Sequence, residues 1–424
     1  MENIGQYITK YRKGKVPKQL FENQEEGLLP YLSPDYLRRK SKPEFYAEPT
    51  EKVVEVEDGE VIVLWDGSNA GEIFISRKGI LGSTMVKLEF NEDEIFKPYF
   101  SFSFEYLEYV LKAKTAGSGI PHADKGVIKK LDFFKPPKPE QTAIAIILSK
   151  VNANIEAVNK SVKAAEKLKK ALMQNLLTGK LKPDGTWRKE DEFYEDEKFG
   201  KIPVGWQIIK GNKITDKITK GQSPKWQGFE YQDNGILFVT SENVRDGYIE
   251  VDSPKYLPIE FHNKIKNSQL QKEDILINIV GASIGRCAVF NLDVEYANTN
   301  QAVCVFRPND ENDSDFLAYY LQNGYTQQRL LGTQVETARA NLSLGDFRKF
   351  KFIIPKSKDE QVLIAEKLNE VVSTIQSKQD KIKKLQRLKK SLMQNLLTGK
   401  VRLPKEFIAQ FVNELEVTNT TTTA

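Results

Sequence analysis

Cysteine, histidine and long apolar runs are all scarce in this sequence. Its 424 residues contain two cysteines, Cys287 and Cys304, and two histidines, His122 and His262, without a Cys-x-x-Cys pair. A zinc site or a disulfide framework needs more of these side chains, so we expect neither, and a reducing compartment fits. The sequence has no run of about eighteen apolar residues, the length that a membrane-spanning helix needs. The N-terminus lacks the apolar core of a signal peptide. We therefore expect a cytoplasmic protein with no metal site and no membrane partner.

Motifs for catalysis are missing as well. There is no G-x-x-x-x-G-K-[ST] loop, so ATP hydrolysis by this chain is not expected. The turn at residues 281–285 superficially resembles a phosphate-binding loop, but a similar turn at residues 67–71 favours a shared structural role. Lys135-Pro136-Pro137-Lys138 lacks the flanking residues with which an amino-methyltransferase holds its target base. A nuclease site built on Asp184 and Glu190 is the enzymatic alternative. These two residues lie in a charged, loop-like stretch.

Bulk composition sets only broad limits. The length is enough for two or more domains, because single hydrophobic cores stop growing well below 424 residues. A net charge of +5 is compatible with a nucleic-acid partner but is too small to argue for one alone.

The strongest feature present is an internal repeat. The 13-residue peptide at positions 168–180 returns at positions 388–400, and only Ala171 and Ser391 differ between the copies. The offset of 220 residues is about half the chain, which predicts two large units that each end in the same element.

A long helix precedes each copy of the repeat. Apolar residues recur at alternating steps of three and four from Ile144 to Leu176, with a break at Lys169. The same spacing recurs from Ile364 to Leu396, with breaks at Lys378 and Lys389. This spacing is typical of a coiled-coil seam, and a helix of some 35 residues would be roughly 50 Å long. The seams superpose at the same offset, so each helix offers the stripe that the other needs. The seam alone leaves parallel and antiparallel packing open.

The globular halves match more weakly. Residues 14–17 correspond to 221–224, residues 60–63 to 274–277, and residues 67–71 to 281–285. Strand and turn positions agree while the intervening loops differ. This pattern predicts one mixed α/β scaffold used twice with two different surfaces.

Taken together, these features resemble the DNA specificity subunit of a type I restriction–modification system. The resemblance is carried by the two L-x-x-x-L-M-Q-N-L-L-T-G-K helix ends, by Pro203-Val204-Gly205-Trp206, and by Glu-Gln at the start of each helix (Glu140-Gln141, Glu360-Gln361). It implies an α+β fold with two target recognition domains (1–135 and 183–355), each followed by a spacer helix (136–182 and 356–402), the two helices packed as an antiparallel coiled coil. Residues 403–424 would form a partly disordered tail. The first unit lacks the Pro-x-Gly-Trp opening, so its first strand is expected to be shortened or to be completed by the tail.

The resemblance also implies how such a chain works. Each recognition domain would read one half of a split site in double-stranded DNA, and the helices would set the spacer. Methyltransferase subunits, two of them, would dock on the helical regions, and restriction/translocase subunits would join the complex. S-adenosylmethionine, ATP and Mg²⁺ are expected on those partners, with no cofactor and no catalytic residue in this chain. The alternative is a stand-alone DNA-binding regulator or architectural protein.

Candidate contacts are polar or basic side chains that could neutralise phosphates or read base edges, although each could equally be a solvated surface group. In the first unit they are Lys10, Arg12, Lys13, Lys15, Lys18, Arg38, Arg39, Lys40 and Lys125, most of them expected in loops. In the second they are Lys217, Lys220, Lys225, Ser241, Asn243, Arg245, Arg329 and Arg339. Trp226 could stack on DNA or pack half-buried. Gln174, Asn175, Gln394 and Asn395, polar within repeated apolar runs, are candidates for partner docking.

Overall fold

The chain forms two compact units, each built from one globular half and parts of both long helices. A computed structural model describes residues 1–38, 42–115, 121–332 and 341–411, together with the backbone of Arg39. The first unit comprises residues 1–160 and 379–424, and the second comprises residues 161–378. Among the described residues, no helix is long and apolar enough to cross a membrane.

The described residues of the first unit form ten short strands and three short or medium helices ahead of the first long helix. The strands are β1 (Glu2–Asn3), β2 (Ile8–Lys13), β3 (Leu29–Leu32), β4 (Tyr46–Ala47), β5 (Glu55–Val56), β6 (Val61–Leu64), β7 (Ile73–Ile75), β8 (Gly79–Leu81), β9 (Met85–Phe90) and β10 (Asp132–Phe133). The helices are α1 (Pro34–Arg39), α2 (Lys97–Ala113), α3 (Lys125–Lys129) and the long α4 (Lys138–Leu176).

The second unit contains a similar set of strands and helices. Its strands are β11 (Phe193–Asp196), β12 (Gly200–Pro203), β13 (Trp206–Lys210), β14 (Thr215–Lys220), β15 (Ile236–Val239), β16 (Tyr256–Leu257), β17 (Asp274–Asn278), β18 (Cys287–Phe290), β19 (Ala297–Thr299), β20 (Val303–Pro308) and β21 (Lys351–Pro355). Its helices are α5 (Ile259–Lys264), α6 (Ser314–Gln322), α7 (Gly324–Leu331), α8 (Leu344–Lys349) and the long α9 (Lys358–Leu396).

The main sheet has the same topology in both units. The first unit orders its strands β2-β9-β6-β7, and the second orders the equivalent strands β14-β20-β17-β18, with antiparallel neighbours throughout. The central strands β6 and β17 are buried along their whole length, which explains their continuous apolar runs. In each unit a smaller sheet pairs one strand in parallel, β3 with β8 and β15 with β19. The prediction of one scaffold used twice is therefore confirmed.

Two strands that carry candidate residues were not predicted as strands. β2 and β14 lie at the edge of their sheets, and each shows a register shift against its neighbour, between Ile8 and Lys10 and between Thr215 and Lys217. A bulge interrupts the two-residue alternation that identifies a strand in sequence. Consequently Lys10, Arg12 and Lys13, like Lys217 and Lys220, stand on strands and not in loops. Arg38 is likewise helical, in α1.

The helical stretch from Ser314 to Leu331 consists of two helices, α6 and α7. The break falls at Asn323, whose backbone is extended and whose side chain caps α7 by accepting a hydrogen bond from the Tyr325 amide. The Asn323 side-chain amide also donates to the carbonyl of Met173 at 3.1 Å, which ties this corner to α4 within the second unit. The spacing of apolar residues does not reveal a side chain that ends one helix and caps the next.

The two long helices pack antiparallel. In the first unit, Ile144 and Leu148 near the start of α4 share a core with Met393 and Leu396 near the end of α9. In the second unit, Leu172 and Leu176 of α4 share a core with Ile364 and Leu368 of α9. The coiled coil implied by the resemblance is thus observed, and the direction that the seam left open is settled.

Two lysines that interrupt the seams, Lys389 and Lys169, face the globular part of the compact unit to which each belongs. Lys389 of α9 forms an ion pair with Glu105 of α2 and lies over the Phe102 ring. Burial lowers the pKa of Lys169 on α4, and the charges of Asp246 and Glu166 oppose that shift. Both breaks therefore mark places where a long helix contacts its globular unit.

The first unit opens with a shortened strand. β1 pairs with β10 over two residues, whereas the corresponding pair in the second unit, β13 with β21, runs for five. The missing Pro-x-Gly-Trp opening corresponds to this shortening. Residues 405–411 at the other end of the chain are helical, and residues 412–424 of the predicted tail lie outside the described residues.

Candidate nucleic-acid interface

In the first unit, β2 and the residues before α3 bring several candidate cations together. Lys13 Nζ lies 2.8 Å from Asp66 Oδ2, and His122 Nδ1 lies 2.6 Å from Asp66 Oδ1. Burial acts to raise the pKa of Asp66, but the hydrogen bonds from Lys13 and His122 outweigh it and lower that pKa overall. Lys125 Nζ sits 4.4 Å above the ring of Tyr11. The Asp66 carboxylate thus binds Lys13 and His122, and the Tyr11 ring binds Lys125, which places three basic side chains on this surface.

The remaining candidates of the first unit fall into three groups. Lys10, Lys15 and Lys18 are exposed. Arg12 is paired with Glu89, and Arg38 with Glu72 and Asp35, so part of their charge is already neutralised within the protein. The side chain of Arg39 and the whole of Lys40 lie outside the described residues.

In the second unit, β14 and α5 form a second basic surface. Lys217 Nζ lies 3.5 Å from the carbonyl of Lys266, and burial lowers the pKa of the Lys217 ammonium, with Arg307 acting in the same direction. Lys220 and Lys225 are exposed. Lys264 joins them, because its Nζ donates to the carbonyl of Gln227 at 3.2 Å. Lys264 and Lys266 were missed in the sequence, where nothing connects them with β14.

Other candidates in the second unit have structural partners. Asn243 accepts from the amide and the hydroxyl of Thr240 and donates to the carbonyl of Glu250. Arg245 is paired with Glu250. Arg329 donates to the carbonyl of Lys351 and lies over aromatic rings that include Phe350. Asn243, Arg245 and Arg329 would have to give up these internal contacts in order to bind DNA.

Two further positions complete the second unit. The carbonyl of Ser241 accepts from the amide of buried Asn278 at 2.9 Å, and the Ser241 side chain is half-buried. Arg339 lies outside the described residues. The structure therefore brings Lys264 to the turn that contains Lys225, whereas Asn243, Arg245 and Arg329 are bonded internally.

The repeated helix ends form the same local structure twice. Thr178 Oγ1 donates to the carbonyl of Gln174 at 2.6 Å, and Thr398 Oγ1 donates to that of Gln394 at 2.6 Å. Asn175 bonds within its own helix to the carbonyl of Ala171, and Asn395 bonds to the hydroxyl of Ser391. Part of the repeat is therefore explained by helix termination, whereas the side chains of Gln174 and Gln394 are exposed.

Beside each helix end lies a cavity with an exposed tyrosine at its rim. Tyr325, 50% exposed, lines a cavity of about 470 Å³ with Leu177 and Thr178. Tyr109, 65% exposed, lines one of about 440 Å³ with Leu397 and Thr398.

An ion pair joins the residues after each long helix to the first turn of the other long helix. Arg402, after α9, binds Glu140 of α4 through Nε–Oε1 at 2.9 Å and Nη2–Oε2 at 2.6 Å. Arg188, after α4, binds Glu360 of α9, which also accepts from Trp206 Nε1 at 3.0 Å. The Glu-Gln motif at each helix start is thus part of the scaffold.

The residues of the nuclease alternative make ordinary surface contacts. Asp184 accepts from the amide and the hydroxyl of Thr186, and these hydrogen bonds lower the pKa of the Asp184 carboxyl. Glu190 is paired with Lys201. Among the described residues no group of His, Cys, Asp and Glu is placed to hold a metal ion.

This geometry defines an internally duplicated protein with a basic surface on each unit and matched helix ends. The model of the family "Type I restriction modification DNA specificity domain" matches residues 3–167 and 203–387. The chain is 34% identical to the type I restriction enzyme MjaVIII specificity subunit of Methanocaldococcus jannaschii over 405 residues, covering 94% of this chain and 92% of that protein. It is 24% identical to the EcoBI specificity subunit of Escherichia coli over 354 residues, covering 81% and 73%.

The fold is shared with solved structures of low sequence identity. The S subunit of a type I restriction-modification system from M. genitalium superposes with a TM-score of 0.58 at 15% identity, over 93% of this chain and 95% of that one. The chain therefore belongs to the type I restriction-modification DNA specificity family, and its function is that of a specificity subunit.

Proposed function

We propose that the globular parts within residues 1–135 and 183–355 each read one half of a bipartite site in double-stranded DNA. The observation that carries this proposal is that equivalent sheets present different side chains. Lys15-Val16 follows β2 where Gln222-Ser223 follows β14, although Gly14 and Gly221 before them are equally tight against the neighbouring backbone. A constant scaffold with variable surface groups suits two readers of different sequences, because base edges are recognised by side chains and not by fold.

The long helices, within residues 136–182 and 356–402, act as the spacer between the two half-sites. The antiparallel direction of the two helices suits half-sites in inverted orientation. Residues 403–424 form a tail.

Methyltransferase subunits, one at each helix end, dock beside Gln174 and Gln394. The support is the matched pair of cavities rimmed by Tyr325 and Tyr109, since tyrosine supplies both apolar area and a hydrogen-bonding group at protein interfaces. Restriction/translocase subunits join this assembly in the cytoplasm. S-adenosylmethionine, ATP and Mg²⁺ are bound by these partners, and this chain contributes recognition and no catalytic group.

Exchange of one globular half tests the proposal. Replacing residues 183–355 by the corresponding part of a relative, in cells that carry all subunits, should change one half of the methylated motif and leave the other half and the spacer intact. Methylome sequencing measures both halves at once. A change in both halves, or in neither, would contradict the assignment of one half-site to each unit. Recovery of the chain without methyltransferase subunits would favour the stand-alone regulator.

A further inference from the structure

Trp226 is the most exposed tryptophan of the chain and stands on a rigid turn. It follows Lys225 in a short 3-10 helix, Lys225–Gln227, and 85% of its surface is accessible. The amides of Gln227 and Phe229 both donate to the carbonyl of Pro224, at 2.9 and 3.0 Å. The half-buried packing that the sequence left open is therefore wrong: the indole projects from a turn whose backbone is fixed.

The turn is anchored by its neighbours and not by Trp226. The ring of Phe229 packs edge-on against Phe261 with centroids 5.4 Å apart. Lys264 spans the turn, donating to the carbonyl of Gln227 and lying 5.4 Å from the centre of the Phe229 ring. The indole makes no part of this anchor. A large apolar side chain held outward by other residues is arranged to contact something outside the chain.

The surroundings of the indole are basic. Lys225 precedes Trp226 in the turn, and Lys264 of α5 reaches the carbonyl of Gln227 that follows it, with Glu230 as the next acidic residue along the chain. In the first unit, Val16 is 68% exposed between Lys15 and Lys18, although it corresponds to Ser223 and not to Trp226. An apolar side chain with lysines beside it can bind DNA, because the lysines contact the phosphates and the apolar side chain contacts bases or sugars.

We propose that Trp226 makes an apolar contact with the bases or sugars of the DNA half-site read by the second unit, while Lys225 and Lys264 bind the flanking phosphates. This inference rests on the proposed function and adds to it a specificity-determining residue. Because the turn is fixed before binding, little conformational entropy is lost when the indole enters the DNA.

Fluorescence of the assembled complex tests the contact directly. Among the four tryptophans, Trp187 is also exposed, so the parent protein carries Trp187→Phe. Adding a duplex with the cognate motif should change the tryptophan emission of this parent, and Trp226→Phe should abolish that change. Persistence of the full change in the double variant would overturn the proposal.

Affinity provides the second measurement. Trp226→Ala should weaken binding of the cognate duplex by about fivefold to about a hundredfold, because aromatic contacts with bases are worth ~1–3 kcal/mol each. Trp226→Phe should stay within a few-fold, and Trp187→Ala serves as the matched control. Unchanged binding by Trp226→Ala would overturn the inference and leave the specificity function intact. Lost assembly with methyltransferase subunits at unchanged DNA affinity would instead make Trp226 a protein contact. A parent complex with no preference for its own motif would overturn the proposed function, and this inference with it.

Discussion

Gln141 and Gln361, 220 residues apart, perform the same task in the two units. Gln361 Oε1 accepts from the amide of Asp313 at 2.9 Å, and its Nε2 donates to the carbonyl of Pro355 at 3.0 Å. Gln141 Oε1 accepts from the amide of Phe96 at 2.8 Å, and its Nε2 donates to the carbonyl of Pro136 at 2.9 Å. Both side chains are buried. Each glutamine therefore fastens the start of a long helix to its globular half.

Removing one of these glutamines should destabilise the protein. Gln361→Ala leaves a buried amide and a buried carbonyl without partners, and each such loss costs ~1–3 kcal/mol, so we expect about 3 kcal/mol in total. Urea titration of the full chain measures the change. Gln394→Ala removes an exposed side chain and should stay within about 0.5 kcal/mol. Similar losses in the two variants would refute the fastening role.

The glycine of the repeated helix end should be irreplaceable for two reasons. Gly179 has a φ of +69°, and a Cβ there would lie 2.3 Å from Cγ of Pro203. Gly179→Ala should therefore cost about 3 kcal/mol, from the left-handed backbone and from overlap. Gly185, at φ +87° with nothing near its Cβ position, isolates the first cause, so Gly185→Ala should cost about 1 kcal/mol. Thermal denaturation compares them, and equal midpoints would argue against the overlap.

Lengthening both helices should lengthen the spacer. Seven residues inserted after Lys160 and after Lys378 keep the seam in register and extend each helix by about 10 Å. At about 3.4 Å per base pair, the unread spacer should grow by about three base pairs. The same insertion between residues 197 and 198, in the turn from β11 to β12, should leave the spacer unchanged. Methylome sequencing reads the spacing, and an unaltered spacer in the helix variant would rule out the spacer role.

The lysines of the second unit should determine its salt dependence. Lys220→Ala or Lys225→Ala should each reduce the slope of log affinity against log salt by about 1, as expected for one phosphate contact. Arg245→Ala should change the slope less, because Glu250 already neutralises Arg245. Titrations of the assembled complex at several salt concentrations give these slopes. A larger effect at Arg245 than at either lysine would reverse the assignment.

The sequence was most informative where one face or one repeat dominates. The long helices followed from the spacing of apolar residues from Ile144 to Leu176 and from Ile364 to Leu396. The duplicated scaffold followed from glycine-marked turns at matching positions. All of these are local or periodic signals, so they survive without knowledge of the three-dimensional contacts.

The candidate site was less predictable because its parts meet only in three dimensions. Lys264 reaches the Trp226 turn from another element, and His122 reaches Lys13 through Asp66, some 50 residues away in sequence. The polar edge strands β2 and β14 were hidden by their bulges. Asn243 and Arg245 carry suitable chemistry, but only the structure reveals that their hydrogen bonds are already used within the loop.

The two copies of the 13-residue repeat end helices of equal length, 39 residues each. Recombination between the two coding copies would remove 220 residues and keep the reading frame. The product would be one globular half running into one complete, capped helix whose apolar seam has lost its partner. A second copy of that shortened chain could supply the partner in the antiparallel sense. The duplicated architecture thus gives a simple genetic route from a split, asymmetric site to a palindromic one.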